Sequence, residues 1–382
     1  MADAIEQLPV DQSIYLNPVY RIDDTEALDH IEIITDTNQL PEDVSAPECP
    51  EEASNHLFLS VRPDWRDSTS LLGYYNPLTE TYEWTEFLRF LLRAVESHKA
   101  EDGLAWFVIL DEMNLAHVEY YFADLLSVIE SGREKDGRSR EPLRLTFPDT
   151  LIDNAPPPEI HLPPNLYIIG TVNMDETTHA FSPKVLDRAF TIELTAVDFS
   201  AYPGSPNGAT AAIPDDAKHE LLRAFTRDGR FAIVDKDDIR HVVEERPEIR
   251  RWLQSLNDLL KRDRFHFGYR VFDEIAQFVA NADINGMLAF EEAFDHAALM
   301  KVLPKFTGSR ARLRTPLLSV LAWAVNPEAP EPKAINELLL TILEGEDANR
   351  PALSSDAFFP HVATRALQML ETLETDGFVS FG

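Results

Sequence analysis

The sequence predicts an α/β core built on a parallel sheet, followed by a mostly helical region. Two nearly unbroken apolar runs, 104–110 (Leu-Ala-Trp-Phe-Val-Ile-Leu) and 166–172 (Leu-Tyr-Ile-Ile-Gly-Thr-Val), have the character of strands buried on both faces. Helical spacing separates these runs, and alternating strands and helices are the pattern of a parallel sheet. Beyond Val197 the strand patterns give way to apolar residues at helical spacing.

Taken in order, residues 1–55 form an irregular acidic segment. Its stretch 40–52 combines three prolines with five acids and almost nothing to bury, which reads as a solvated loop or linker. Short strand patterns at 13–16 and 30–34 precede it, too brief to separate strand from helix. The α/β core spans 56–197. Strands are expected at 56–61, 104–110, 166–172 and 190–194; helices are expected at 84–97 and 118–129, with a short one at 183–187. In the first helix Phe87, Leu88, Leu91, Leu92 and Val95 recur every three to four residues and define one apolar face. The helical region spans 198–382; after its loop at 202–208, helices are expected at 215–225, 247–260, 271–280, 295–302, 316–325 and 351–375. No internal repeat or long low-complexity tract is apparent.

Composition narrows the function classes. Among 382 residues, 34 Lys and Arg face 66 Asp and Glu, a formal net charge of −32, which disfavours direct binding to nucleic acid. The single cysteine, Cys49, excludes an intrachain disulfide. No run reaches the roughly 18 apolar residues of a membrane span, and Met1 to Val10 lacks the basic and apolar regions of a secretory signal. A cytoplasmic protein is expected.

The chemistry-bearing residues lie at strand ends. The run 107–110 ends in Asp111 and Glu112, placing two carboxylates at the carboxyl edge of a parallel sheet, where open α/β folds bind ligands. Asp111 there suits Mg²⁺, directly or through water, and Glu112 suits orientation or deprotonation of an attacking water. The same pair equally suits a strand leaving the sheet and capping the next helix. Asn173, at the end of the second run, suits a hydrogen bond to a terminal phosphate or to that water, or simply an Asx-turn. Arg188 lies between a helix and a strand pattern, free to reach a neighbouring subunit or to pair with Asp187.

Other chemistries find less support. The eleven histidines include no H-E-x-x-H, and His161, His179, His266 and His296 show no ligand-like spacing. No G-x-S-x-G occurs, and Cys49 lies among acids that disfavour its thiolate. Trp65, Tyr74, Tyr75 and Trp84 suit either core packing or a partner surface. Lys305, Arg310, Arg312 and Arg314 form the one notable basic cluster, suited to a phosphate, an acidic neighbour or charge balance.

Taken together and in this order, the segments from about Val61 to Leu194 resemble the AAA+ nucleoside-triphosphatases of the McrB-like and MoxR-like branch. The resemblance rests on 61–65 with 71–77, on Phe-Val-Ile-Leu-Asp-Glu-Met-Asn at 107–114, and on Asn-Leu-Tyr-Ile-Ile-Gly-Thr-Val-Asn-Met at 165–174 followed by 181–190. It continues through 267–271, 302–310 and 376–381, which resemble the lid of the same branch. The resemblance implies that Asp111 and Glu112 are the Walker B pair, Asn173 the sensor-1 residue and Arg188 an arginine finger acting on a neighbour's nucleotide. Arg270 or Arg310 corresponds to a lid-borne sensor-2 arginine, or else to a lid salt bridge. The implied cofactors are Mg²⁺ and ATP or GTP, and the implied assembly is a homo- or hetero-oligomeric ring such as a hexamer. Such rings remodel partners or, with a separate nuclease subunit, restrict modified DNA in defence against phage.

One part of the family pattern is missing. A triphosphate is normally anchored by G-x-x-x-x-G-K-[ST], whose backbone amides, lysine and hydroxyl cradle the phosphates and Mg²⁺. None of the 14 glycines is followed by lysine. Three explanations are open: a P-loop lost with a mis-assigned start, a P-loop on another chain, or a degenerate ring subunit acting as a scaffold.

Overall fold

A computed structural model describes residues 55–148, 155–173, 179, 181–194, 226–227, 229–233, 236–284, 288–345 and 347–380. The patterns predicted at 13–16, 30–34, 40–52, 202–208 and 215–225 lie outside these residues.

Three strands build the central parallel sheet: β1 (His56–Ser60), β4 (Trp106–Asp111) and β7 (Leu166–Gly170), in the order β1-β4-β7. β4 pairs with β7 from Trp106↔Leu166 to Leu110↔Gly170, so both strands end together and the residues after them emerge side by side. Between β1 and β4 lie a short helix α1 (Thr69–Leu72), a hairpin of β2 (Tyr74–Asn76) and β3 (Thr81–Glu83), and α2 (Glu86–Ala100). Thr85 caps α2 by accepting from Leu88 N, and Phe87, Leu88 and Leu91 are buried along one face, as their spacing predicts, together with Phe90 and Ala94, whereas Leu92 and Val95 are only half-buried.

At the amino end of the sheet Asn165, 1% exposed, donates to the carbonyls of Ala94 and Leu104, each at 3.2 Å, and so ties α2 to the sheet. A 3₁₀ turn (Met113–Leu115), α3 (Val118–Tyr121) and α4 (Ala123–Glu130) follow β4; a small pair, β5 (Leu143–Arg144) and β6 (Glu159–Ile160), precedes β7. α5 (Pro183–Leu186) closes the core.

The strand predicted at 190–194 is absent. Phe190 to Leu194 forms no strand, and its backbone turns instead to the helical region, where Thr191 N donates to Met300 O at 3.2 Å. Thr191 and Glu193 face inward, while Ile192 and Leu194 stand 71% and 92% exposed. The alternation that suggested a strand therefore points its apolar side to solvent.

The helical region contains α6 (Lys236–Glu245), α7 (Pro247–Lys261), α8 (Tyr269–Ile284), α9 (Phe290–Val302), α10 (Arg310–Val325), α11 (Pro332–Leu343) and α12 (Pro360–Asp376). A two-residue pair, β8 (Gly308–Ser309) with β9 (Phe378–Val379), joins the residues just before α10 to those just after α12. Two helices, α6 and α11, form where the sequence reading places none. α10 begins six residues before the expected start because Pro316, which favours a first turn, lies inside it. The stretch expected as one helix at 351–375 divides into a 3₁₀ turn (Pro351–Leu353) and α12. Trp252, Phe294, Trp323 and Phe359 pack edge-on and tilted at the centre, each at most 4% exposed. Residues 58–382 form one unit, which holds β4, β7 and the helices.

Candidate functional site

The parallel register of β4 and β7 creates the site. Two backbone bonds extend the pairing past the strands: Thr171 N donates to Leu110 O at 2.9 Å, and Met113 N to Thr171 O at 2.8 Å. Asp111 and Glu112 are thereby set beside Thr171 and Asn173. The Thr171 hydroxyl donates to Asp111 Oδ1 at 2.7 Å and accepts from Glu112 N at 2.9 Å. Asn173 Nδ2 donates to Glu112 Oε1 at 3.1 Å. Asp111 is half-buried, and Glu112, Thr171 and Asn173 are exposed, so the group faces solvent at the carboxyl edge.

The backbone beneath is constrained. Glu112 has φ 51° and ψ 47°, the left-handed region, which turns the chain sharply out of β4. Gly170 permits the close approach of that turn: a Cβ there would lie 2.4 Å from Met113 Sδ and 3.3 Å from Met113 Cβ. Fully buried Asn114 donates through Nδ2 to Asn173 O at 3.0 Å and accepts at its own carbonyl from His179 N at 3.0 Å. Tyr121, buried beneath, donates its hydroxyl to Met113 O at 2.8 Å, and burial pushes its phenol above the ordinary range. Sequence reasoning missed Thr171 and Asn114. Asn114 stood in view three residues after Asp111, whereas Thr171 matters only because the register sets it opposite the acids.

Asp111 and Glu112 do not cap a following helix through their side chains, since the turn after Glu112 has no such bond. Oxygen ligands of this kind suit a hard cation such as Mg²⁺. A triphosphate fits less completely, because no glycine-lysine pair exists to anchor its phosphates.

The three arginines lie elsewhere. Arg188, with only 11% of its side chain exposed, pairs with Glu130 and donates to Lys184 O. It pairs with Glu130 rather than with Asp187. Arg270 reaches Asp187 at 3.1 Å and Glu130 at 3.6 Å, so Glu130 is shared by two arginines. Lys305 donates to Asp187 at 2.6 Å, and wholly buried Lys301 pairs with Glu274 while donating to the carbonyls of Asp187 and Ala189, each at 3.0 Å. Burial works to raise the Asp187 pKa, but Lys305, Arg270 and Lys301 outweigh it and hold the carboxyl below the usual aspartate range. This charged junction ties α4 and α5 to α8 and α9.

Arg310 pairs with Glu374, which also accepts from Arg314, while the Arg312 guanidinium lies over the Phe265 ring at 5.4 Å. The basic cluster is thus partnered within the chain. Among the four aromatics, Trp65 packs edge-on against Tyr121 and Trp84 against Tyr82, and Tyr74 is half exposed.

Residues 227–378 match a domain of unknown function, DUF8727. The DUF8727 segment covers the described helices from α6 to α12 and contains Arg270 and Arg310; Asp111, Glu112, Asn173 and Arg188 lie before it. No curated protein matches the chain.

Proposed function

We propose that the chain is a subunit of a ring-forming AAA+ nucleoside-triphosphatase of the McrB-like or MoxR-like kind, working in the cytoplasm with ATP or GTP and Mg²⁺. The observation that carries this is the convergence of Asp111, Glu112 and Asn173 at the ends of two adjacent parallel strands, joined through hydrogen bonds at 2.7 to 3.1 Å. Asp111 would hold the cation, directly or through water, and the cation when bound offsets phosphate charge. Glu112 orients the attacking water and accepts its proton, with Asn173 fixing the Glu112 carboxylate through Oε1. Arg188 serves a neighbouring subunit's site once released from Glu130, and Arg270 acts at the lid. Remodelling of a partner, or restriction with a nuclease subunit, is the output of such a ring.

A second reading, an inactive scaffold or a subunit dependent on another chain's P-loop, is favoured by the open side of β7. Among the described residues β7 pairs only with β4, and Ile169 on it is 47% exposed. A strand carrying the missing phosphate loop would complete that edge.

Equilibrium binding of ATP and GTP with Mg²⁺ to the full chain, beside Asp111→Ala, separates the two. Micromolar binding that weakens at least tenfold in the variant supports the nucleotidase, and Glu112→Gln then binds without turnover. Absence of binding by the wild-type chain rejects self-sufficient hydrolysis. In an assembled ring, Arg188→Ala abolishes turnover while Glu130→Gln, which removes the same ion pair, retains it. A scaffold is indifferent to both.

A further inference from the structure

A cluster unrelated to the strand-end site lies where α9 meets α12. Glu292 and His296 are one turn apart on α9 and share a face. His361 is the second residue of α12, and its ring stacks on that of His296 with centroids 4.2 Å apart and 28° between planes. One ligand atom from each of Glu292, His296 and His361 lies within 4.8 Å of the others.

The backbone under this cluster is held firmly. Asp295, 1% exposed, accepts from His361 N at 2.8 Å and from Val362 N at 2.9 Å, and so pins the first turn of α12 to α9. His361 is therefore presented to His296 without help from any ligand.

We propose that Glu292, His296 and His361 form a binding site for a divalent transition-metal ion of the Zn²⁺ class. Two imidazoles and one carboxylate supply three protein ligands and leave a fourth position open, the donor set of zinc sites that keep a water. Nitrogen donors favour Zn²⁺, Co²⁺ or Ni²⁺ over Mg²⁺ and Ca²⁺. Tetrahedral Zn–N bonds of about 2.0–2.1 Å set donor atoms about 3.4 Å apart, so side-chain rotation suffices to close the cluster. Glu292 and His361 are exposed and His296 is half-buried, which gives an ion a path in. A bound ion cross-links two helices distant in sequence and, because the unfolded chain lacks the preformed cluster, stabilises the folded state.

The full chain, stripped with a chelator and dialysed, is titrated with ZnCl₂ by calorimetry and with Co²⁺ by visible absorption. One equivalent is expected to bind, with intense tetrahedral Co²⁺ bands and a rise in Tm. His296→Ala and His361→Ala each lower affinity at least tenfold and abolish the Tm rise, while exposed His266→Ala binds as the wild type. Alanine at 361 retains the backbone N–H that Asp295 accepts, and circular dichroism verifies that the variants fold. Failure of the wild type to bind, or equal binding by the His296 and His361 variants, overturns the proposal.

Discussion

Thr171 gives its hydroxyl hydrogen to Oδ1 of Asp111 at 2.7 Å, although the two residues are 60 positions apart. The Thr171 hydroxyl oxygen in turn accepts from Glu112 N, so one side chain organises both acids. Thr171→Val keeps the branched shape and removes both bonds. A loss of about 1 kcal/mol is expected, read from urea unfolding, with Thr171→Ser close to wild type. A valine variant as stable as the wild type would show that these bonds contribute nothing.

The left-handed backbone at Glu112 reverses the usual ranking of small residues. Alanine pays about 1 kcal/mol in that region and glycine does not. Glu112→Gly is therefore expected to unfold at higher urea than Glu112→Ala. The opposite order would mean that the turn relaxes out of φ 51° once the carboxylate is gone.

Asp187 carries a pH dependence of known sign. Its pKa is lowered in the folded chain, so the stability it contributes is fully present above the ordinary aspartate value of about 3.9 and is lost as pH falls through the folded value. Thermal melts of wild type and Asp187→Asn should differ most at neutral pH, with the gap closing as the medium is acidified below about pH 4. A constant gap would exclude the charge of Asp187 as its source.

Lys301 is wholly buried against Glu274, with burial lowering the lysine's pKa and raising the acid's. Lys301→Met leaves Glu274 buried without its partner and is expected to cost about 3–5 kcal/mol. Adding Glu274→Gln should recover part of that loss, but not all, because the carbonyls of Asp187 and Ala189 still lack their donor. Strictly additive losses in chemical denaturation would contradict coupling between the two.

Insertion of a methyl group at Gly170 tests the packing under the acids. Gly170→Ala must displace Met113, whose Sδ and Cβ lie 2.4 and 3.3 Å from the new Cβ position. A stability loss of about 1–3 kcal/mol is expected, and Met113→Ala in the same chain should restore part of it. No rescue would place the strain elsewhere.

The strand patterns at 56–61, 104–110 and 166–172 and most helices are legible in the sequence, with strands formed at 56–60, 106–111 and 166–170, because burial on one or both faces imprints a local period. The sequence also located Asp111, Glu112 and Asn173, since each stands where an apolar run stops. Packing of distant segments, by contrast, sets the Thr171 bridge between the acids, the Arg188–Glu130 pair and the meeting of His296 with His361. It also decided that 190–194 leaves the sheet, although its alternation is that of a strand. The physical reason is common to all four. A local period records which side of an element is apolar, whereas strand register, ion-pair choice and ring stacking depend on which distant segment packs alongside.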